Sequence, residues 1–332
     1  MATVIYPERM YADDTEERRI FGPEHTVVMR DVQSLAELSD ADCAAAEGLM
    51  IFRLWVANAD FARFPKLRAV VRMGVGYDRI DRVAAARRGV TVCNVPDYGT
   101  TEVADHAIAL ALALTRGLIH HHERQGGPNP DWAVIRAPEI RRFSRTTFGV
   151  LGLGRIGTAA ALRAKALGFH VVFYDPKLPN GAELSLGIER VASLPALLAR
   201  SQILSVHTPL TLGTEGMLGA AEFAALPAGA VLVNTARGPI MDFDALEAAL
   251  RSGHIAAAGL DVMPVEPPVE PVHSLLRAYR DRDPALLGRL IVTPHSAFWT
   301  PDAEWDIRIK SAETMAAALG NQPQNVIRPE DD

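Results

Sequence analysis

The residues whose types and spacing could do chemistry fall into a few short segments. Gly152-Leu153-Gly154-Arg155-Ile156-Gly157 lies between an apolar run, Thr147 to Leu151, and a helix-like run to Gly168; a second apolar run then ends in Tyr174-Asp175. Strand, glycine turn, helix, strand and an acidic residue 18 positions after the last glycine is the order of a dinucleotide site. The first glycine permits the tight turn, the second lets the backbone approach a pyrophosphate, and the third lets helix pack on strand. The helix N-terminus offers free N–H groups to the phosphates. Asp175 would accept the 2′ and 3′ hydroxyls of an adenosine ribose and repel a 2′-phosphate, which makes NAD the expected cofactor. The competing reading is an ordinary βαβ turn whose glycines serve packing alone.

Three further segments follow strand candidates: Thr235-Ala236-Arg237-Gly238, Gly259-Leu260-Asp261-Val262 leading to Glu266, and Thr293-Pro294-His295-Ser296. In an open parallel sheet that edge is where ligands bind. Arg237 can clamp a carboxylate or polarise a neighbouring carbonyl through its fixed donor fork. His295 can give a proton to a carbonyl oxygen and take it back in the reverse direction. Glu266, paired with the far imidazole nitrogen, would orient the ring and favour its protonated form. Alone, each residue has a plain reading as a surface Arg, a solvated Glu and a loop His. Together, on successive strand ends beside a nicotinamide, they describe hydride exchange with a 2-oxo or 2-hydroxy acid.

The elements that must position these residues follow from length and periodicity. A chain of 332 residues is expected to form two lobes with separate cores. Its net charge of -6 and scattered basic residues argue against direct nucleic-acid binding. The N-terminus reads as no export signal and no apolar run is long enough to span a bilayer, so a cytoplasmic location is expected. Cys43 and Cys93 are too few for a disulfide framework and show no zinc spacing, so no metal is expected. From Ala2 to Val95, short β-branched runs alternate with helix-like segments such as Ser34–Glu47. Thr101–Ile119 reads as one long helix, apolar nearly all round and so buried between lobes or against a second subunit. Further strands are expected at Ile203–His207, Ala230–Asn234, Ala256–Leu260 and Leu290–Thr293, separated by helices. The fold class is therefore α/β, with two doubly wound parallel-sheet units, Rossmann-like and flavodoxin-like, and an active-site cleft expected between them.

Taken in order along nearly the whole chain, the glycine turn, Asn234-Thr235-Ala236-Arg237-Gly238, Ala258-Gly259-Leu260-Asp261-Val262 with Glu266, and Thr293-Pro294-His295 resemble the D-isomer-specific 2-hydroxyacid dehydrogenases. So do Arg72-Met73-Gly74-Val75-Gly76-Tyr77-Asp78, Asn94-Val95-Pro96 and Thr101-Glu102-Val103-Ala104-Asp105-His106. Within the family, the first-lobe motif and Pro294–Trp299 look most like the C-terminal-binding-protein branch, whose members double as corepressors. The resemblance implies that Val75 and Gly76 offer N–H groups to the substrate carboxylate, with Arg72 a second cation. It places Arg155 and Ile156 at the pyrophosphate, Pro209 and Thr214 near the adenosine, Thr235 and Ala236 on the cofactor side, Asp261 at the nicotinamide carboxamide and Val103 on the nicotinamide face. It also implies a substrate domain of residues 1–98 and 297–332, a nucleotide domain of 99–296, and a homodimer through the nucleotide domain.

Two features depart from that pattern. The interval between Glu266 and His295 is long because of the polar stretch His273–Arg289, which reads as a short helix or surface excursion. Phe298 and Trp299 follow the histidine closely, and form either an apolar wall of the substrate site or core or dimer-contact residues. His120-His121-His122 reads as a polar helix end, because successive helical residues point about 100° apart and do not converge on one ion. His207 reads as a loop residue and His106 as a satisfied core or interface histidine. The rival functions are a corepressor-like NAD(H)-sensing binding protein and phosphite- or phosphoglycerate-type oxidation on the same scaffold.

Overall fold

The computed structural model describes residues 1–331. The chain divides into two units, Met1–Gly99 with Trp299–Asp332, and Thr100–Phe298.

In the first unit, β1 (Ala2–Tyr6), α1 (Thr15–Phe21), β2 (His25–Met29), α2 (Asp40–Ala45), β3 (Ala46–Ile51), β4 (Ala69–Arg72), α3 (Arg82–Arg87) and β5 (Thr91–Asn94) build a sheet in the order β2-β1-β3-β4-β5. Every pairing is parallel. Strands covered on both faces read as continuous apolar runs, and Ile5, Leu49, Ile51 and Val70 are fully buried. The C-terminal helix, Pro301–Leu319, packs on this sheet, with Met315 filling the space beside Gly48: a Cβ there would lie 2.7 Å from the Met315 sulfur.

The single helix expected over Ser34–Glu47 is not formed. Ser34 accepts the Ala36 N–H to cap a 3₁₀ turn, Leu35–Glu37, and Ser39 accepts the Asp42 N–H to start α2 afresh. Serines that bond their own backbone break a helix and restart it. The chain then enters β3 at Ala46, earlier than the β-branched run suggests.

The second unit begins with α4 (Thr100–Thr115) and α5 (Leu118–Gly126), then runs β6 (Thr147–Leu151), α6 (Arg155–Ala166), β7 (His170–Tyr174), α7 (Ala182–Leu186), β8 (Glu189–Arg190), α8 (Leu194–Leu198), β9 (Ile203–Val206), α9 (Ala220–Ala225), β10 (Ala230–Asn234), α10 (Phe243–Ser252), β11 (Ile255–Leu260), α11 (Ser274–Arg280) and β12 (Leu290–Val292). The strands form one sheet, β12-β11-β10-β9-β6-β7-β8. Strand order reverses between β6 and β9, the switch point at whose carboxyl ends ligands bind in doubly wound folds.

The long helix expected over Thr101–Ile119 is broken. Gly117, at φ 62, turns the chain left-handed, and α4 and α5 meet at a 62° bend. The apolar character of α4 is largely used within its own unit, where Val103, Ala104, Ala107, Ile108, Leu110, Ala111 and Leu114 are buried and the helix packs on β10, β11 and α6. Among the described residues no single helix is long and apolar enough to cross a membrane. Of the two readings of the His273–Arg289 stretch, the short helix is formed: it carries α11, and Leu275, Leu276 and Leu286 enter the core of this unit.

Candidate active site

At the carboxyl end of β6, Gly152 has φ 87, a conformation that favours glycine, and donates its N–H to Tyr174 O at 2.9 Å. A Cβ at Gly157 would overlap the Gly152 carbonyl, so the third glycine is what lets α6 lie against β6. At Gly154 an added Cβ would meet no atom within 4 Å. The first glycine thus serves the turn and the third the packing, while Gly154, with open space at its Cβ position, is the N-cap of α6, whose first-turn N–H groups favour an anion.

Asp175 follows β7 and is held by two main-chain donors, Leu153 N–H to Oδ2 at 2.8 Å and Lys177 N–H to Oδ1 at 2.9 Å. Each carboxylate oxygen keeps acceptor capacity for a ribose hydroxyl. Thr214 Oγ1 donates to Pro209 O at 2.6 Å, which fixes the loop after β9. The hydroxyls of Thr208 and Thr235, at the ends of β9 and β10, are buried with no hydrogen-bond partner among the described residues. Orphaned hydroxyls at the switch edge, an open glycine and an anchored carboxylate together fit a dinucleotide. Arg155 is exposed at the start of α6, Ile156 partly buried beside it, and Val103 buried on α4.

The adjacency of β10, β11 and β12 brings the residues expected to react to one edge. Asn234, fully buried, accepts the Ala236 N–H at 2.8 Å and donates to Arg237 O at 2.9 Å, so its carboxamide shapes the turn that presents Arg237. Arg237 also donates to Ala236 O at 2.7 Å. A Cβ at Gly238 would overlap the Met263 carbonyl, so this glycine lets the Arg237 turn and the Glu266 loop come together. Glu266 receives the Met263 N–H on Oε1 at 2.8 Å and faces His295 Nδ1 with Oε2 at 2.5 Å. Burial pushes the Glu266 carboxyl up, but the His295 hydrogen bond and charge, the Met263 N–H and the Arg237 charge outweigh it and hold the group below its ordinary range. His295 sits at φ 52, in the left-handed region few non-glycine residues enter.

Asp261 is almost wholly buried. Its Oδ1 accepts from Thr293 Oγ1 at 2.6 Å and Ser296 N–H at 2.9 Å, and its Oδ2 accepts from Ala297 N–H at 2.9 Å. The expected carboxamide contact is therefore at most one of its tasks; holding the chain around His295 is the one on view. His106, expected to be a core or interface residue, lies 3.0 Å from Thr293 Oγ1 in the same network. Phe298 is partly buried, whereas Trp299 is exposed and donates to Glu304 at 3.1 Å.

In the first unit, Arg72 ends β4, bonds the Met73 carbonyl and lies 5.5 Å from the centre of the Phe52 ring. Gly74 has φ 142, a conformation that favours glycine. Asn94 Nδ2 donates to Val75 O at 2.6 Å and Val95 N–H to Gly74 O at 3.1 Å, which fixes the turn. The N–H groups of Val75 and Gly76 have no protein acceptor among the described residues.

Of the other histidines, His120 pairs with the buried Glu139 at 2.6 Å. His207 lies 2.8 Å from Ser205 Oγ, and burial pushes its imidazole down to about 4, leaving it neutral. Among the described residues no group of three metal-ligating side chains forms.

Residues 108–297 match the model of the D-isomer specific 2-hydroxyacid dehydrogenase family, NAD binding domain. The chain belongs to this family. It is similar to C-terminal-binding protein 1 of Caenorhabditis elegans, 33% identical over 91% of this chain and 41% of that one. It is 36% identical to a D-3-phosphoglycerate dehydrogenase of Mycobacterium leprae over 93% of this chain and 54% of the relative. The chain thus spans about half the length of these relatives. The solved structure of a D-lactate dehydrogenase from Aquifex aeolicus, complexed with NAD and lactic acid, superposes with a TM-score of 0.82 at 25% identity, covering 96% of each chain.

Proposed function

We propose that this family member is an NAD-dependent oxidoreductase that interconverts a 2-oxo acid and a D-2-hydroxy acid. The observation that carries the reading is the Glu266–His295 pair, 2.5 Å apart on neighbouring strand ends beside Arg237. Because Nδ1 faces Glu266, Nε2 is the nitrogen left to give its proton to the carbonyl oxygen. Glu266 holds the ring by its contact with Nδ1. Arg237 polarises the carbonyl or grips the adjoining carboxylate. By family resemblance, Arg72 and the N–H groups of Val75 and Gly76 are proposed to bind a substrate carboxylate. NADH, when bound, supplies the hydride.

The test is NADH oxidation against glyoxylate, hydroxypyruvate, pyruvate, phenylpyruvate and longer branched oxoacids, with phosphite and 3-phosphoglycerate in the oxidative direction. Turnover on an oxoacid that disappears in His295→Asn, with NADH binding kept, is the expected result. Tight NADH binding without turnover on any of these compounds would overturn it in favour of an NAD(H)-sensing binding protein, the reading to which the likeness to C-terminal-binding protein 1 points.

Two further assignments belong to this proposal. A homodimer is supported by exposed Leu118, Trp132 and Val134, which follow α4 within a short stretch. A cytoplasmic location is supported by Cys43 and Cys93, both free and buried.

A further inference from the structure

His106 belongs to none of the roles assigned above, yet the fold builds it into the support of His295. The cause begins at Gly259: a Cβ there would lie 2.9 Å from Leu110 Cβ, so glycine lets α4 rest directly on β11. His106 is about one helical turn from Leu110, and Asp261 is two strand residues from Gly259. Both steps span roughly 5–7 Å, so the close approach at one end brings His106 over the carboxyl ends of β11 and β12 at the other. There its Nε2 lies 3.0 Å from Thr293 Oγ1 and 3.8 Å from Asp261 Oδ1.

The proton count on Thr293 gives this contact a direction. The hydroxyl has one hydrogen, which goes to the Asp261 carboxylate at 2.6 Å, an acceptor that already takes two main-chain N–H groups. Thr293 Oγ1 must then accept from His106, which puts a proton on Nε2. Asp261 in turn grips the chain on both sides of the catalytic histidine. Its main-chain carbonyl accepts the His295 N–H at 2.8 Å, and its side chain accepts the N–H groups of Ser296 and Ala297. A residue at φ 52 keeps that conformation only where its surroundings determine it.

We propose that His106 is a positioning residue for His295: by donating to Thr293 it aims the threonine proton at Asp261, which holds the left-handed turn that presents the His295 ring. The kinetic part of this inference rests on the proposed reaction; the structural part does not. Without the donor, the Thr293 hydroxyl is free to rotate and the buried carboxylate loses a partner.

The first measurement is the tautomer of His106, read from the ring nitrogens of ¹⁵N-histidine-labelled protein. A proton on Nε2 is expected, and the Nδ1–H tautomer would overturn the proposal. The second compares His106→Leu with His106→Gln, whose amide can still donate. Leu should lower kcat by roughly tenfold with the KM for NADH within about twofold, and should displace the His295 ring signals; Gln should restore both most of the way. Parent-like kcat and ring signals in Leu, or a Gln variant no better than Leu, would sink the idea. Thr293→Val should match His106→Leu, and the double variant should be no worse than either single one if both act through one hydrogen bond. Additive losses would count against it; if His106→Leu does not fold, the tautomer and Thr293→Val alone decide the matter, and parent-like kcat and His295 ring signals in Thr293→Val would overturn the proposal. If the parent turns over no oxoacid, the reaction fails as a reading, and the tautomer and ring signals still judge the positioning role.

Discussion

Glu266 is the acidic partner of His295, and the groups around it set its ionisation. The carboxyl is held below its ordinary range, so Glu266 stays charged into mildly acid solution; any stability this lends is present above the ordinary carboxylate pKa and is lost as pH falls through the lowered one. Glu266→Gln removes the negative partner, and the alkaline limit for oxoacid reduction should move to lower pH. A pH–rate profile of kcat/KM that overlays the parent would separate Glu266 from the proton transfer. Arg237→Lys keeps the charge and loses the fork, so kcat/KM for the oxoacid should fall by roughly tenfold to a hundredfold while NADH affinity barely changes. Asp175→Ser should narrow a preference for NADH over NADPH chiefly by weakening NADH, measured by tryptophan fluorescence titration of both cofactors. These residues are legible in the sequence because each stands just past a strand in a recognisable local motif. His106 is not legible as a partner of Thr293, since the two are 187 positions apart and meet only because a missing Cβ lets a helix settle on a strand.

Strands were more legible than helices, and particular residues show why. The β-branched runs mark strands buried on both faces, so burial and propensity agree at Val4-Ile5-Tyr6 and again at Ala69-Val70-Val71. Helix limits depend instead on single backbone events. Gly117 ends α4 by turning left-handed, and Ser39 restarts the chain as α2 by capping it. Neither shows in a hydrophobic pattern. The connections at the reactive edge depend on equally small features. Gly238 is where the Arg237 turn meets the Met263 carbonyl, so Gly238→Ala must push that turn away from the Glu266 loop. Displacements of about 1 Å at reacting groups can cost about a hundredfold, and kcat/KM should drop by that order. The measurement is steady-state kinetics beside a thermal melt; parent-like kinetics in Gly238→Ala would mean that the two turns need not come so close.

At the scale of the whole molecule the question is what covers the apolar side chains that the fold leaves outside. Singly exposed hydrophobic residues are ordinary on a folded protein. Leu118 at 57%, Trp132 at 93% and Val134 at 73% exposed are a different case, because they fall close together in sequence on α5 and the irregular stretch after it. Residues 127–137 form no helix or strand, so little in the second unit's own sheet holds this stretch in place. A twofold dimer would cover it with the same surface of another copy, burying on the order of 800 Å² per chain for a stable contact. Sedimentation velocity at micromolar concentration should therefore give twice the chain mass. Leu118→Asp with Trp132→Asp should shift the protein toward monomer with its far-ultraviolet circular dichroism unchanged, since neither side chain supports the core. Salt distinguishes the kind of contact. Each chain carries a net charge of -6, so two copies repel, and an interface held by apolar surface should strengthen as ionic strength rises and screens that repulsion. A dimer that salt dissociates would instead be held by ion pairs, and one untouched by the double substitution would use another face.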